Sequence, residues 1–253
     1  MNFSNITMSK RIRRTPYTNK IEECGVTGFT VVNHMLLPKA FSRSTEEDYW
    51  HLASHVQLWD VACERQVEII GPDALRLTEL ITPRDISTLA IGQGKYAPLC
   101  DENGGIINDP IILRIAEDRF WLSIADSDVN LWVKGTAYGR GFDVRVFEPD
   151  VSPLAIQGPK SYKIMSQIFG NKINDLKFFR YDYFNFNGNN FLISRSGFSK
   201  QGGFEIHIDN VKAGLELYDH FFKIGNDYNL KPGTPNHPER IESGLLSYGS
   251  DMD

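Results

Sequence analysis

The chain has 253 residues and a formal net charge of −5, and 41% of its residues are hydrophobic while 23% are charged. That composition is typical of a globular protein whose apolar residues suffice for a sizeable core. The negative net charge argues against a general nucleic-acid binder, because phosphate backbones require a basic surface. No apolar run approaches the roughly 18 residues that a membrane span needs.

The cysteines and the amino terminus indicate the compartment. Cys24, Cys63 and Cys100 are odd in number and far apart, which fits reduced thiols better than a disulfide framework. Residues 1–20 are polar and basic, with no apolar signal segment behind Met1, and favour an extended arm. We therefore expect a cytoplasmic protein without a membrane partner.

The first predicted elements are a strand, a loop and a helix. Residues 25–38 favour a strand followed by a loop that ends at Pro38. Ser44 and Glu47 match a helix start, and the helix places His51 and His55 one turn apart, a spacing that can hold a metal. No third ligand lies nearby in the sequence, so we predict no metal site.

A compact unit is predicted from about residue 63 to about residue 147, with a boundary at residues 148–150. Its elements, read from periodicity and from turn residues, are strands at 58–70 (two segments), a helix at 74–80, a strand at 120–124, a helix at 127–138 and a strand at 142–147. The second half is predicted to contain strands at 151–156 and 204–208, an Asn187-Gly188 hairpin, and helices through 165–168, at 213–224 and at 238–246.

The stretch from Asp101 to Arg114, DENGGIINDPIILR, carries the strongest local pattern. Asn103, Gly104 and Gly105 tolerate positive φ, so they predict a tight hairpin turn. Two polar residues, Asn108 and Asp109, interrupt the following apolar run and precede Pro110, which cannot donate to a sheet. The pattern fits a strand that faces a ligand and equally an edge strand with a bulge.

Four segments together resemble one protein family. GGIIND, AIQGP at 155–159, SGFSKQGGFEI at 196–206 and RIESGLLSYGSDMD at 240–253 resemble the folate-dependent aminomethyltransferases of the glycine cleavage system, in the same order. NHMLLP, WDVACERQVEI and ADSDV look most like the branch that demethylates dimethylsulfoniopropionate with tetrahydrofolate as methyl acceptor. The resemblance implies that branch's activity; an aminomethyltransferase and a folate-binding relative without turnover remain the alternatives.

The resemblance also implies a set of folate-binding residues. Glu205 would accept the paired N–H groups of the pterin, a task that suits a carboxylate, against the alternative of a surface acid. Arg240 would meet the acidic cofactor, against a helix salt bridge to Glu239 or Glu242. The remaining positions are aromatic, and core packing is the alternative for each: Tyr96, Phe179, Phe198 and Tyr248.

The expected catalytic pair is Asn108 and Asp109, and here the chain departs from the family. Aminomethyl-processing relatives carry two aspartates at these positions, and the first holds the key catalytic role with an amine substrate. The neutral Asn108 instead fits a sulfonium donor, which already carries a good leaving group and needs alignment rather than proton transfer. Aromatic faces suited to that cation belong to Trp50, Trp59, Tyr96 and Trp121.

The family fold implied by the resemblance is α+β, with antiparallel sheets and flanking helices around a folate cavity. We expect a discontinuous first domain from residues 1–60 and 150–253 and an inserted second domain from residues 61–149. Family members continue into a β-rich C-terminal domain that is absent from this chain, so the chain looks truncated. The expected partner is a small-molecule sulfonium, and the sequence does not predict an oligomeric state.

Overall fold

A computed structural model describes residues 9–252. Within that range there are seven α-helices: α1 (Thr18–Glu23), α2 (Thr45–Ser54), α3 (Ala74–Leu80), α4 (Val129–Arg140), α5 (Ser161–Phe169), α6 (Val211–Gly225) and α7 (His237–Glu242). None of them is both long and apolar enough to cross a bilayer.

Fifteen strands lie in the same range. They are β1 (Gly28–Val32), β2 (Met35–Ala40), β3 (Val56–Asp60), β4 (Gln66–Ile70), β5 (Gly94–Tyr96), β6 (Leu99–Cys100), β7 (Ile106–Asn108), β8 (Ile111–Ala116), β9 (Arg119–Ser123), β10 (Arg145–Phe147), β11 (Leu154–Gln157), β12 (Tyr181–Phe186), β13 (Asn189–Ser194), β14 (Gly203–His207) and β15 (Leu230–Gly233).

Two large sheets organise these strands. One has six strands in the order β12-β13-β14-β11-β3-β15, and the other has five in the order β10-β4-β9-β8-β5. All pairings in both sheets are antiparallel except β15 beside β3, which is parallel. The small hairpins β1-β2 and β6-β7 stand apart from the two sheets.

Each large sheet buries one face under helices. On β14, Phe204 and Ile206 point into a core completed by α5 and α6, because alternate strand residues face opposite sides. The corresponding core of the five-stranded sheet contains Ile69, Phe120 and side chains of α3 and α4. The remaining side chains of each strand therefore lie on the face of the sheet that the helices leave uncovered.

The two uncovered faces meet in a third, smaller apolar cluster. Leu113 and Trp121 of the five-stranded sheet pack there with Tyr181 and Leu192 of the six-stranded sheet. The Tyr181 hydroxyl also donates to the Arg114 carbonyl at 2.5 Å. The molecule is thus a stack of helices, sheet, sheet and helices, and polar residues on the inner faces lie between the sheets. We propose that the six- and five-stranded sheets are the centres of the two domains expected from the sequence.

The structure corrects several element predictions. The predicted loop before Pro38 is a second strand, β2, joined to β1 by Asn33 and His34, both with positive φ. The apolar run around Asn108 is not one strand: β7 ends at Asn108, and Asp109 and Pro110 separate it from β8, which joins another sheet. Strand β15 was not predicted, and α7 ends at Glu242 rather than near Leu246.

Candidate functional site

Glu205 projects from the middle of the six-stranded sheet toward the other sheet. Its cross-strand neighbours share its face and form one row, which reads Tyr181, Ser194, Glu205, Ala155 and Trp59. The carboxylate accepts a hydrogen bond from the Ser196 hydroxyl at 2.5 Å. Burial raises the pKa of Glu205, and hydrogen bonds from Ser196 and Ser194 oppose that rise. The small Ala155 leaves room beside this carboxylate.

Asp109 approaches the same region from the five-stranded side of the molecule. The Tyr96 hydroxyl donates to its carboxylate at 3.3 Å. Burial raises the pKa of Asp109 to about 6, although hydrogen bonds from Tyr96 and from the Tyr248 backbone partly offset this effect. Burial and the neighbouring Asp109 in turn raise the pKa of Tyr96 to about 12, so Tyr96 stays a hydrogen-bond donor at neutral pH.

Asn108 is completely buried, and its amide is satisfied by the protein. Its nitrogen donates to the Ser127 hydroxyl at 2.9 Å, and its oxygen accepts from the Ala125 N–H at 3.0 Å. The Ser127 hydroxyl in turn donates a hydrogen bond to the Ile107 carbonyl at 2.9 Å. With both ends of the amide engaged, Asn108 fixes the backbone that presents Asp109.

A third carboxylate, Glu64, was missed by the sequence analysis. It lies in the link between β3 and β4, which runs from one large sheet to the other. Burial, and after it the charges of Glu205 and Asp109, together raise the pKa of Glu64 to about 8. Three acids therefore converge between the sheets. The sequence signal that could have identified Glu64 is its position, since it is an acid in the short link between two apolar strands, within the segment WDVACERQVEI.

The aromatic residues divide into two groups. Phe198 packs on Trp59, Val61 and Ala155, next to the row that contains Glu205. Its loop is held by Ser199, whose hydroxyl donates to Gln157 at 2.8 Å. Tyr96 contacts Asp109, as described above. Only Tyr96 of the four candidate aromatic residues contacts one of the three acids. Trp59 is buried and donates its indole N–H to Gln57, Trp50 is 59% exposed on α2, and Trp121 donates its indole N–H to Glu68.

Phe179 lies where the two sheets join rather than among the acids. Its N–H donates to the Arg195 carbonyl, and its own carbonyl accepts from Gly94. Its φ of 56° is unusual for an aromatic residue and marks a position that the surroundings hold firmly. The ring stacks on Phe178 with centroids 4.3 Å apart. The structure shows no contact between Phe179 and the three carboxylates.

Arg240 and Tyr248 belong to the segment that closes the site. The Arg240 guanidinium is buried and donates to the Leu245 carbonyl and to Asp251 at 3.0 and 2.5 Å. Asp251 is therefore its ion-pair partner, in place of the expected Glu239 or Glu242. Tyr248 contributes its backbone N–H to Asp109. This segment reaches the acids through a main-chain group.

The electrostatics of the cluster favour a ligand with positive charge or N–H donors. Within residues 9–252, no ion pair includes Glu64, Asp109 or Glu205. The described part of the chain also contains no group of three or more His, Cys, Asp or Glu placed to hold a metal. A cluster of uncompensated carboxylates can bind an amino-substituted ring, which donates paired N–H groups, or an organic cation.

Comparisons with known proteins place the chain in a family. The family described as "GCVT N-terminal domain" matches residues 18–253. A dimethylsulfoniopropionate demethylase, DmdA, from Ruegeria pomeroyi is 51% identical over 249 residues, which cover 98% of this chain and 68% of that protein. An aminomethyltransferase from Alkaliphilus metalliredigens is 31% identical over 79% of this chain and 55% of its own length.

A solved structure confirms the α+β fold expected from the sequence. The crystal structure of the glycine cleavage system aminomethyltransferase T from Bartonella henselae matches with a TM-score of 0.83 at 25% identity. The match covers 95% of this chain and 65% of that one. The chain thus spans about two thirds of that structure and of the demethylase, and just over half of the aminomethyltransferase.

Proposed function

We propose that this chain, which belongs to the family of GCVT N-terminal domains, catalyses the tetrahydrofolate-dependent demethylation of dimethylsulfoniopropionate. The observation that carries this proposal is the 51% identity to the demethylase DmdA over 98% of the chain. Tetrahydrofolate supplies the amine N5 that accepts the methyl group: the S–CH3 bond breaks, the N5–CH3 bond forms, sulfur keeps the electron pair as methylmercaptopropionate, and N5 loses its proton.

The carboxylates support the binding of a folate between the sheets. In this proposal Glu205 accepts the paired N–H groups of the pterin, because two carboxylate oxygens match two adjacent donors. Its fixed partner Ser196 keeps the carboxylate oriented. Phe198, packed next to the row of Glu205, and Tyr96, bonded to Asp109, are the aromatic rings available to the cofactor, and the Tyr248 backbone lowers the pKa of Asp109. Arg240 and Phe179 remain predicted cofactor-binding residues, and neither of them contacts the acids.

The protein's contribution to the reaction is alignment and exclusion of water. A sulfonium carries its own leaving group, so holding the methyl carbon on line between nitrogen and sulfur can supply roughly 7 to 11 kcal/mol at most. Asn108 contributes by fixing the backbone before Asp109 through Ala125 and Ser127. Asp109, with its pKa raised to about 6, is available to orient the reactants by hydrogen bonding.

An aminomethyltransferase is the second candidate, supported by relatives such as the one from Alkaliphilus metalliredigens at 31% identity. That activity relies on the first aspartate of the family's pair, and this chain has a buried, fully bonded Asn108 in its place. The observation favours the demethylase. A folate-binding relative without turnover differs from both candidates in producing no methylated folate.

Single-turnover methyl transfer tests the proposal. The protein is mixed with tetrahydrofolate and dimethylsulfoniopropionate, and 5-methyltetrahydrofolate is sought by chromatography. Its formation is the expected result, and Glu205→Ala is expected to bind no tetrahydrofolate while remaining folded. Folate binding without product would favour the non-catalytic relative, whereas turnover of an aminomethyl donor alone would favour the aminomethyltransferase.

A further inference from the structure

The backbone holds Glu64 in a fixed position between the sheets. Its N–H donates to the Val61 carbonyl at 2.8 Å, which closes the turn. The carbonyl of the preceding residue, Cys63, accepts from the Asn33 side chain at 3.0 Å. The guanidinium of the following residue, Arg65, donates to the Val151 carbonyl at 2.8 Å. Hydrogen bonds of Glu64 itself and of the residues on both sides of it therefore fix the backbone position from which its side chain extends.

Asn33 connects this turn to the segment that carries Asp109. The same side-chain nitrogen donates to the Ala125 carbonyl at 2.9 Å, and its oxygen accepts from the Ser127 N–H at 3.2 Å. Ala125 and Ser127 are also the partners of Asn108. One continuous hydrogen-bond network thus sets the position of Glu64 relative to Asp109.

Glu64 differs from the other two acids in having no protein partner. Glu205 accepts from Ser196, and Asp109 accepts from Tyr96. Within residues 9–252, no side chain or backbone N–H donates a hydrogen bond to the Glu64 carboxylate, and no cation pairs with it. Glu64 is half-buried, which leaves part of the residue accessible to a bound molecule.

A sulfonium ion carries positive charge but no N–H group. It makes no use of the paired acceptors that Glu205 offers, and it is attracted most by a nearby anion that has no other partner. Resting on the proposed function, we infer that Glu64 is the counter-ion of the donor's sulfonium and the residue that selects a cationic donor over a neutral one.

This role couples donor binding to proton release. With its pKa raised to about 8, the Glu64 carboxyl is mostly protonated at pH 7 in the empty site. A bound cation favours the ionised form, so donor binding at pH 7 releases a proton and donor affinity rises up to about pH 9. Glu205 and Asp109 face Glu64 from the neighbouring elements, and Cys63 adjoins it in the turn.

Glu64→Gln tests the inference, since it preserves shape and removes the charge. Glu102→Gln, on the exposed hairpin turn, makes the same change of net charge away from the site. Calorimetry would measure the dissociation constants of dimethylsulfoniopropionate, of 4-methylpentanoate, which keeps the carboxylate but has a CH group in place of the positively charged sulfur, and of tetrahydrofolate. Titrations at pH 7 in two buffers of different ionisation enthalpy would count released protons.

We expect Glu64→Gln to weaken sulfonium binding by about thirtyfold or more, to leave 4-methylpentanoate and tetrahydrofolate unchanged, and to abolish proton release. Glu102→Gln should match the wild type. An equal loss of affinity for dimethylsulfoniopropionate and for 4-methylpentanoate would overturn the role of Glu64 alone. So would an unchanged affinity for the sulfonium in an enzyme that still transfers methyl groups. A wild-type protein that neither binds nor demethylates the sulfonium would overturn the proposed function as well.

Discussion

Asn108 carries an NH2 group at the place where the family resemblance implies a carboxylate oxygen in aminomethyl-processing relatives. The structure shows what that group does: it donates to Ser127 from a completely buried position. An aspartate there would lose the donor and bring a second carboxylate beside Asp109. The residue is therefore matched to its surroundings as an amide, and the surroundings provide no cation for a charge.

Asn108→Asp should lower the free energy of unfolding by about 2 to 4 kcal/mol at neutral pH, because a buried acid replaces a satisfied amide. Burial raises the folded-state pKa of such an acid above its unfolded value, so the native state binds the extra proton. The loss should thus grow as pH rises above about 4. Urea unfolding at pH 5 and pH 8 measures it. Ser127→Ala, which adds no acid, should show a loss independent of pH, and equal losses for Asn108→Asp at both pH values would contradict this account.

Some site residues could be predicted from the sequence and others could not. Glu205 was predicted as a folate-binding residue from the family resemblance, and its alternation with apolar residues predicted that it projects from one face of a strand; the structure places it on the inner face of that strand. Glu64 has no such pattern, since its position depends on a turn between strands of different sheets. The Asp251 partner of Arg240 was also missed, because a pairing across a loop leaves no periodic trace in the sequence.

Among the elements, the β1-β2 hairpin has a larger role than its size suggests. Its turn residue Asn33 has a φ of 48°, and its side chain bonds Cys63, Ala125 and Ser127. The β12-β13 hairpin has a matching turn residue, Asn187, with a φ of 49° and an exposed side chain. The two asparagines share a backbone conformation and differ in what their side chains bind.

Replacing each asparagine by alanine separates these two contributions. Asn187→Ala should cost about 0.5 to 1 kcal/mol of unfolding free energy, which reflects the left-handed backbone alone. Asn33→Ala should cost about 2 to 4 kcal/mol more, because one buried and two partly buried hydrogen bonds are lost with it. It should also weaken sulfonium binding, since Glu64 and Asp109 lose their common support. Chemical denaturation and calorimetry measure both effects; equal stability losses for the two variants would show that the Asn33 network is not structural.

The same two hairpins show the limits of element prediction. Asn187-Gly188 was predicted, because glycine accepts positive φ without strain. Asn33-His34 was not, since histidine adopts positive φ only with the support of its surroundings. Strand β15 escaped because Pro232 argues against a strand, although an edge position beside β3 tolerates it. In each case, tertiary contacts decided what local preference left open.

At the scale of the whole molecule, the site exists because two sheets face each other. The six-stranded sheet supplies Glu205, the segment between β7 and β8 supplies Asp109, and the link between the sheets supplies Glu64. The cluster of Leu113, Trp121, Tyr181 and Leu192 joins the inner faces. It therefore sets the spacing of the carboxylates, whereas the two outer cores stabilise the individual sheets.

Two leucine truncations distinguish these roles. Leu192 lies in the cluster between the sheets, and Leu217, a residue of α6, lies in the outer core of the six-stranded sheet; both are buried. Each change to alanine should cost about 2 to 5 kcal/mol of unfolding free energy. Only Leu192→Ala should also weaken tetrahydrofolate binding, by roughly tenfold to a hundredfold, because a small displacement of one sheet misaligns groups contributed by both.

The comparison requires both variants to be folded during the binding measurement. Urea titration establishes that condition, and calorimetry on the same samples gives the dissociation constants. Similar stability with a selective loss of folate affinity in Leu192→Ala would assign the spacing of the carboxylates to the cluster between the sheets. Equal folate affinities would mean that the six-stranded sheet binds the cofactor alone. Glu205 and its own strand would then suffice, and the facing sheet would contribute to the donor rather than to the folate.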